Sequence, residues 1–218
     1  MGLDQEWAEN FTKALAVLAS FIYPESAAAA SLSGMDPKEA YAIIPRATDL
    51  SGIIEPEIQA IWQYRHPLAR NIIHELKNSR SAHAADCAGY ALYMHLAEHL
   101  GELLLLIPIP LSRQRLNERG YNQCELIAKA ALKYGNAFEM RNDILTKPVH
   151  RTEQKTKSRS ERIRDSENIF SIRNTEDIAR RICVIIDDVT TTGSTLAAAR
   201  QAVIDAGAAR VIAIAIAH

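Results

Sequence analysis

The chain is poor in cysteine. It has three in 218 residues, Cys87, Cys124 and Cys183. They lie far apart, and no two form a Cys-x-x-Cys pair. That spacing excludes a zinc ribbon and offers no disulfide framework. Cys183 stands inside an apolar run and reads as a core residue. Thiols used in this way suit a reducing compartment, so the expected location is the cytoplasm.

An excess of either charge is also lacking. Lys and Arg number 25 against 26 Asp and Glu, a net charge of −1. No global field draws the chain to nucleic acid or to a membrane, so any anion site has to be local. Long apolar runs are missing too, since none reaches the roughly 18–20 residues of a membrane-spanning helix. The longest, 103–111 and 211–217, have the length of buried strands. Gly2-Leu3-Asp4-Gln5-Glu6 lack the basic opening of a secretory signal. A membrane is therefore not an expected partner. His95 and His99 stand four apart, but no third ligand accompanies them as a metal site would need.

What is present begins with bulk. A hydrophobic share of 48% suits one good-sized domain, or one domain plus a small appendage, and a charged share of 23% is ordinary for a soluble protein. Trp7, Phe11, Leu15, Leu18 and Ile22 recur at helical spacing, and Pro37, Pro45 and Gly52 break up the stretch leading to the main domain. Residues 1–55 are expected to be a helical appendage and 56–218 the main domain. Helical patterns run over about 57–77, kinked at Pro67, and over about 82–99. An apolar strand spans 102–110, a charged segment 112–120 and a helix 122–134. Short strands are expected at 143–147 and 169–172. Residues 182–186 and 211–217 are continuous apolar strands around a helix at 194–206, closed by Gly207. This is a βαβ unit, and its apolar strands imply a parallel sheet covered on both faces. The expected class is α/β, a parallel sheet flanked by helices.

The most informative string is Val184-Ile185-Ile186-Asp187-Asp188-Val189-Thr190-Thr191-Thr192-Gly193-Ser194-Thr195-Leu196. A buried strand delivers two carboxylates at its carboxyl end, where open α/β sheets bind ligands. Small, hydroxyl-bearing residues and Gly193 then lead into a helix N-terminus, an anion site. Two acids would repel a bare polyphosphate but suit a vicinal diol. A ribose 5-phosphate satisfies both halves. The bland alternative is an ordinary helix cap after an acidic strand end.

The string resembles the signature of type I phosphoribosyltransferases, which bind phosphoribosyl pyrophosphate (PRPP): four hydrophobics, two acids, a short loop, Gly, any residue, Thr. Further residues resemble the ComF branch of that superfamily. They are Pro108-Ile109-Pro110-Leu111-Ser112, then Arg113 and Arg115, then Glu118-Arg119-Gly120-Tyr121-Asn122-Gln123. Thr152, Gln154, Ser158, Glu161-Arg162 and Phe170 come later in compatible order. The resemblance covers about 57–218. Lys157 stands where the branch has Leu, Asp165 where it has Asn, and Tyr121 where it has Phe. The four-cysteine ribbon that opens many members is absent, so no zinc is expected.

The resemblance implies a type I phosphoribosyltransferase-like sheet. It implies that Asp187 and Asp188 hold the ribose 2- and 3-hydroxyls. Val189, Thr190, Thr191, Thr192, Gly193, Ser194 and Thr195 form the loop around the 5-phosphate. Mg²⁺ is the expected cofactor, held near Asp187 and Asp188 through ribose hydroxyls or water. Lys77, Arg113, Arg115 and Arg119 fall on the pyrophosphate side. For Lys77 the alternative is a favourable cation at a helix end, and for the arginines a solvated basic turn.

Segment 141–164 carries eight basic residues against three acidic ones. The resemblance places a closing loop here, with Arg151, Gln154, Lys157, Arg159 and Arg162 as candidates, Lys157 and Arg162 for catalysis together with Asp187, Asp188 and Arg119. A nucleic-acid backbone patch and a plain basic loop remain open. In the 6-oxopurine enzymes an acid follows the second Asp by three residues. Thr191 stands there, which argues against hypoxanthine or guanine as acceptor. Two functions stand side by side. One is a pentosyl-transferring phosphoribosyltransferase using PRPP, Mg²⁺ and an unidentified nitrogen base. The other is a non-catalytic PRPP-binding protein in DNA uptake or single-stranded DNA handling, as in competence. A second copy of the chain is a candidate partner in either case.

Overall fold

The computed structural model describes residues 34–47, 58–99, 101–147 and 169–218. Helix α1 (Pro37–Ile43) is capped by the Asp36 side chain and packs Ala40 and Ile44 into the core. The described part of the expected appendage thus lies against the main domain, and the expected boundary near residue 55 lies outside the described residues. Then come β1 (Ile58–Trp62), α2 (Pro67–Asn78), α3 (Ala82–His95) and β2 (Leu104–Pro108). Helices α4 (Arg113–Arg119) and α5 (Gln123–Ala131) lead to β3 (Phe138–Met140). Short strands β4 (Leu145–Thr146) and β5 (Ser171–Ile172) precede β6 (Ile182–Val189), α6 (Ser194–Asp205) and β7 (Arg210–Ala217).

Five strands form a parallel sheet in the order β1-β7-β6-β2-β3. Alternate residues of one strand serve opposite cores, because strand side chains change face at every step. Val184 and Ile186 join Leu104, Leu106, Ile212 and Ile214 under α2, α3 and α5. Cys183 and Ile185 join Leu105, Ile107, Val211 and Ala213 under α6. Both faces are buried, so the runs read as continuously apolar. The antiparallel pair β4-β5 sits apart from this sheet, on the α6 side.

The helix expected over 57–77 is corrected. Its first part is β1, paired with β7 from Ile58↔Ala213 to Trp62↔Ala217. The helix begins only at Pro67, whose fixed φ and missing N–H suit the first helical turn and do not kink it. Ile58 and Ile61 are three apart, a spacing that a short edge strand shares with a helix. The charged segment 112–120 takes a definite form. It is the short helix α4, with Ser112 as N-cap and Gly120 as C-cap at φ 77°. Strand β3 and the extension of β6 through both acids also exceed the sequence reading.

Candidate functional site

The carboxyl ends of β2 and β6 open into a cleft of about 970 Å³, together with the last turn of α2 and the start of α5. Of the expected site residues it gathers Lys77, Arg115, Arg119, Asp187, Asp188, Val189, Thr191 and Thr195. Arg113 does not line it; it is the first residue of α4 and is exposed. Gln154, Lys157 and Arg162 lie outside the described residues, as do Arg151 and Arg159.

The two acids have different surroundings. Asp188 is buried, and its Oδ2 accepts from Gln123 Nε2 at 3.0 Å and faces Lys77 Nζ at 3.2 Å. Asp187 is half-buried, and its Oδ1 accepts from its neighbour's N–H at 2.9 Å and from the Cys124 thiol at 3.6 Å. Burial and the adjacent Asp188 charge push the Asp187 carboxyl up to about 6. Burial and both aspartates hold the Cys124 thiol far above its usual value, so it is no thiolate nucleophile. Burial also lowers the Lys147 ammonium, although Asp187 opposes this. Its Nζ lies 5.3 Å from the centre of the Phe170 ring.

The loop after β6 is held by its own hydrogen bonds. Thr190 N–H donates to Ala217, and Thr190 Oγ1 accepts from Gly193 N–H at 3.1 Å. Thr190 therefore shapes the loop from inside. Gly193, at φ 77°, turns the chain into α6. Thr191, Thr192 and Ser194 are exposed above it, with the Thr192 hydroxyl donating to Ser194 Oγ at 3.1 Å.

Residues 119–123 act as a bracket. Arg119 Nη1 donates to Gln123 Oε1 across the left-handed Gly120 turn. The Tyr121 hydroxyl donates to the Leu76 carbonyl at 2.9 Å and accepts from Arg80 N–H at 2.9 Å. Tyr121 thus clamps the end of α2 that presents Lys77. Asn122 caps α5 at Cys124 N–H and donates to the Ile109 carbonyl at 2.9 Å. Tyr121→Phe loses both clamp bonds and is expected to cost about 1–2 kcal/mol of stability. Urea unfolding checks this; an unchanged midpoint would show that the clamp carries no energy.

Sequence reasoning does not single out Gln123, Cys124 or Lys147, and all three line the cleft. Gln123 stands inside the quoted family string, and Lys147 inside the basic segment. Nothing in the sequence marks Cys124. Arg141, from the same basic segment, is tied up by Asp143 at 2.8 Å and Asp177 at 2.7 Å. His95 Nε2 lies 2.7 Å from Gln59 Oε1.

The phosphoribosyl transferase domain family matches residues 131–218. The DNA utilization protein YhgH of Escherichia coli O157:H7 is 31% identical over 156 residues, which are 69% of this chain and 67% of that protein. The chain belongs to the ComF-like branch of the type I phosphoribosyltransferases. Competence protein ComFC of Bacillus subtilis (strain 168) is 34% identical over 105 residues, 48% of this chain and 40% of that protein. Competence protein F of Haemophilus influenzae is 33% identical over 92 residues, 42% of this chain and 40% of that protein. The match therefore spans less than half the length of those two relatives. Among the described residues of this ComF-like chain, no helix is long and apolar enough to cross a membrane.

Proposed function

We propose that this ComF-like chain binds PRPP and transfers its 5-phosphoribosyl group to a nitrogen acceptor in a Mg²⁺-dependent reaction. One observation carries the reading. The acid pair Asp187–Asp188 ends β6 at the cleft and runs directly into the hydroxyl loop and the N-terminus of α6. Acceptors for a diol thus adjoin donors for a phosphate, and a ribose 5-phosphate spans the two. Thr191 and Thr195 face the 5-phosphate. Lys77, Arg115 and Arg119 line the cleft as cations for the pyrophosphate.

The donor set fits Mg²⁺. Two carboxylates stand together, and among the described residues no three His, Cys, Asp or Glu side chains form a metal cage. That suits an ion taking most of its oxygens from substrate and water. Asp187 and Asp188 would hold it, and it would supply charge neutralisation of the pyrophosphate. In the transfer, the acceptor nitrogen forms a bond to the anomeric carbon as the carbon–oxygen bond to pyrophosphate breaks, and the leaving oxyanion keeps that electron pair. The protein supplies position, cations and exclusion of water, and needs no nucleophile. Calorimetry with PRPP and Mg²⁺ should show binding that Asp187→Asn with Asp188→Asn removes. No heat with the unaltered protein would end this reading.

A second reading rests on the relatives, two of which are named for competence and one for DNA utilization. In it, PRPP is held without transfer and the protein acts on single-stranded DNA. Pyrophosphate release over a panel of nitrogen bases favours the first reading. Its absence, with salt-dependent affinity for single-stranded DNA, favours the second.

A further inference from the structure

Gln123 is 4% exposed and opens helix α5 at the floor of the cleft. Its place is fixed from the sheet side by Asn122, which bonds the Ile109 carbonyl just beyond β2. Both ends of its amide are engaged: Nε2 donates to Asp188 Oδ2 at 3.0 Å, and Oε1 accepts from Arg119 Nη1. The orientation is dictated by chemistry. An ionised carboxylate only accepts and a guanidinium only donates, so the amide has one way to satisfy both. Lys77 also reaches Asp188, but on a flexible stem whose side chain is 32% exposed. Gln123 is the buried partner of that carboxylate.

We propose that Gln123 is a positioning residue that couples the two halves of the PRPP site, setting Asp188 for the ribose and Arg119 for the pyrophosphate through one amide. This rests on the PRPP reading above. Arg119 and Gln123 are four residues apart but not on one helix. The left-handed Gly120 separates α4 from α5, so their contact exists only in this bracket. Methionine at 123 keeps the length and loses both bonds. Asparagine keeps the amide but is one methylene too short to reach both partners.

The test is calorimetry on the full chain with Mg²⁺ and three separate probes: ribose 5-phosphate, pyrophosphate and PRPP. Gln123→Met should weaken each half-ligand by about threefold or more and PRPP by about tenfold or more. Weakening of one half-ligand alone overturns the coupling, and affinities within about twofold of the unaltered protein overturn the role altogether. Adding Gln123→Met to Arg119→Met should cost less pyrophosphate affinity than Gln123→Met costs alone, because both break one bracket; additive losses overturn the proposal, since a merely structural role predicts no such coupling. Where Gln123→Met does not fold, Gln123→Asn takes its place in the same measurements. An unaltered protein that binds none of the probes is a failure of the PRPP reading itself, seen before any variant is made, and it takes this proposal with it.

Discussion

Asp187→Asn is expected to raise the melting temperature of the protein while lowering its affinity for PRPP by about a hundredfold. The two effects share one cause. In the folded chain the Asp187 carboxyl is pushed up to about 6 by burial and by Asp188, against an ordinary 3.8. The folded state therefore holds this proton more tightly than the unfolded state. Stability falls as pH rises between those two values and stays low above the upper one. A shift of about two pKa units corresponds to at most about 3 kcal/mol. Partial exposure reduces this to about 1–2 kcal/mol at neutral pH, or about 2–8 °C for a chain of this size. Asparagine keeps the shape, and its Oδ1 still accepts from Cys124 and from the Asp188 N–H. It removes only the charge.

That charge is the one the ligand needs. The phosphates of PRPP also take up protons at about pH 6, so both proteins lose affinity below it, but the unaltered protein should lose up to about tenfold per pH unit more than Asp187→Asn. Asp188→Asn should give no gain in stability, because Asp188 already faces Lys77 at 3.2 Å. Thermal melts from about pH 5 to about pH 8 read the first effect, and calorimetry reads the second. A lower melting temperature for Asp187→Asn would show that the half-buried carboxylate is not a strained group.

The acid pair and its loop are legible in the sequence because a local string builds them. Strand, acids, hydroxyls, glycine and helix succeed one another in 182–205, and the elements there match the sequence reading to within a few residues. The parts that are not legible come from elsewhere in the chain. Asp188 is met by Gln123 from α5 and by Lys77 from α2, and no local pattern announces a contact across 65 positions or more. Strand β1 reads as helix because its burial depends on β7, which lies at the other end of the chain. Thr190 looks like its hydroxyl neighbours, and only the folded loop shows that it turns inward to Gly193.

Gly89→Ala is expected to destabilise the protein, although the same change inside a helix ordinarily stabilises by about 1 kcal/mol. Gly89 lies in the middle of α3, where α3 packs on α5. A Cβ there would stand 2.6 Å from Ala130 Cβ, 2.7 Å from Ala131 N and 2.8 Å from Ala130 C. Two of these are backbone atoms, so no rotamer can relieve the contact and the helices must spread. Overpacking of this kind costs about 1–3 kcal/mol beyond the propensity gain. A net loss of about 2 kcal/mol lowers the melting temperature by about 4–8 °C. Gly101→Ala is the control, because a Cβ there meets nothing within 4 Å, and it should leave the melt unchanged or slightly raised. The consequence reaches the site, since α5 carries Gln123 and Cys124 at its other end. Spreading α5 from α3 moves the partners of both aspartates, so PRPP affinity should weaken in Gly89→Ala well below its melting temperature. A variant as stable as the control would show that the α3–α5 contact does not fix where α5 holds the acids.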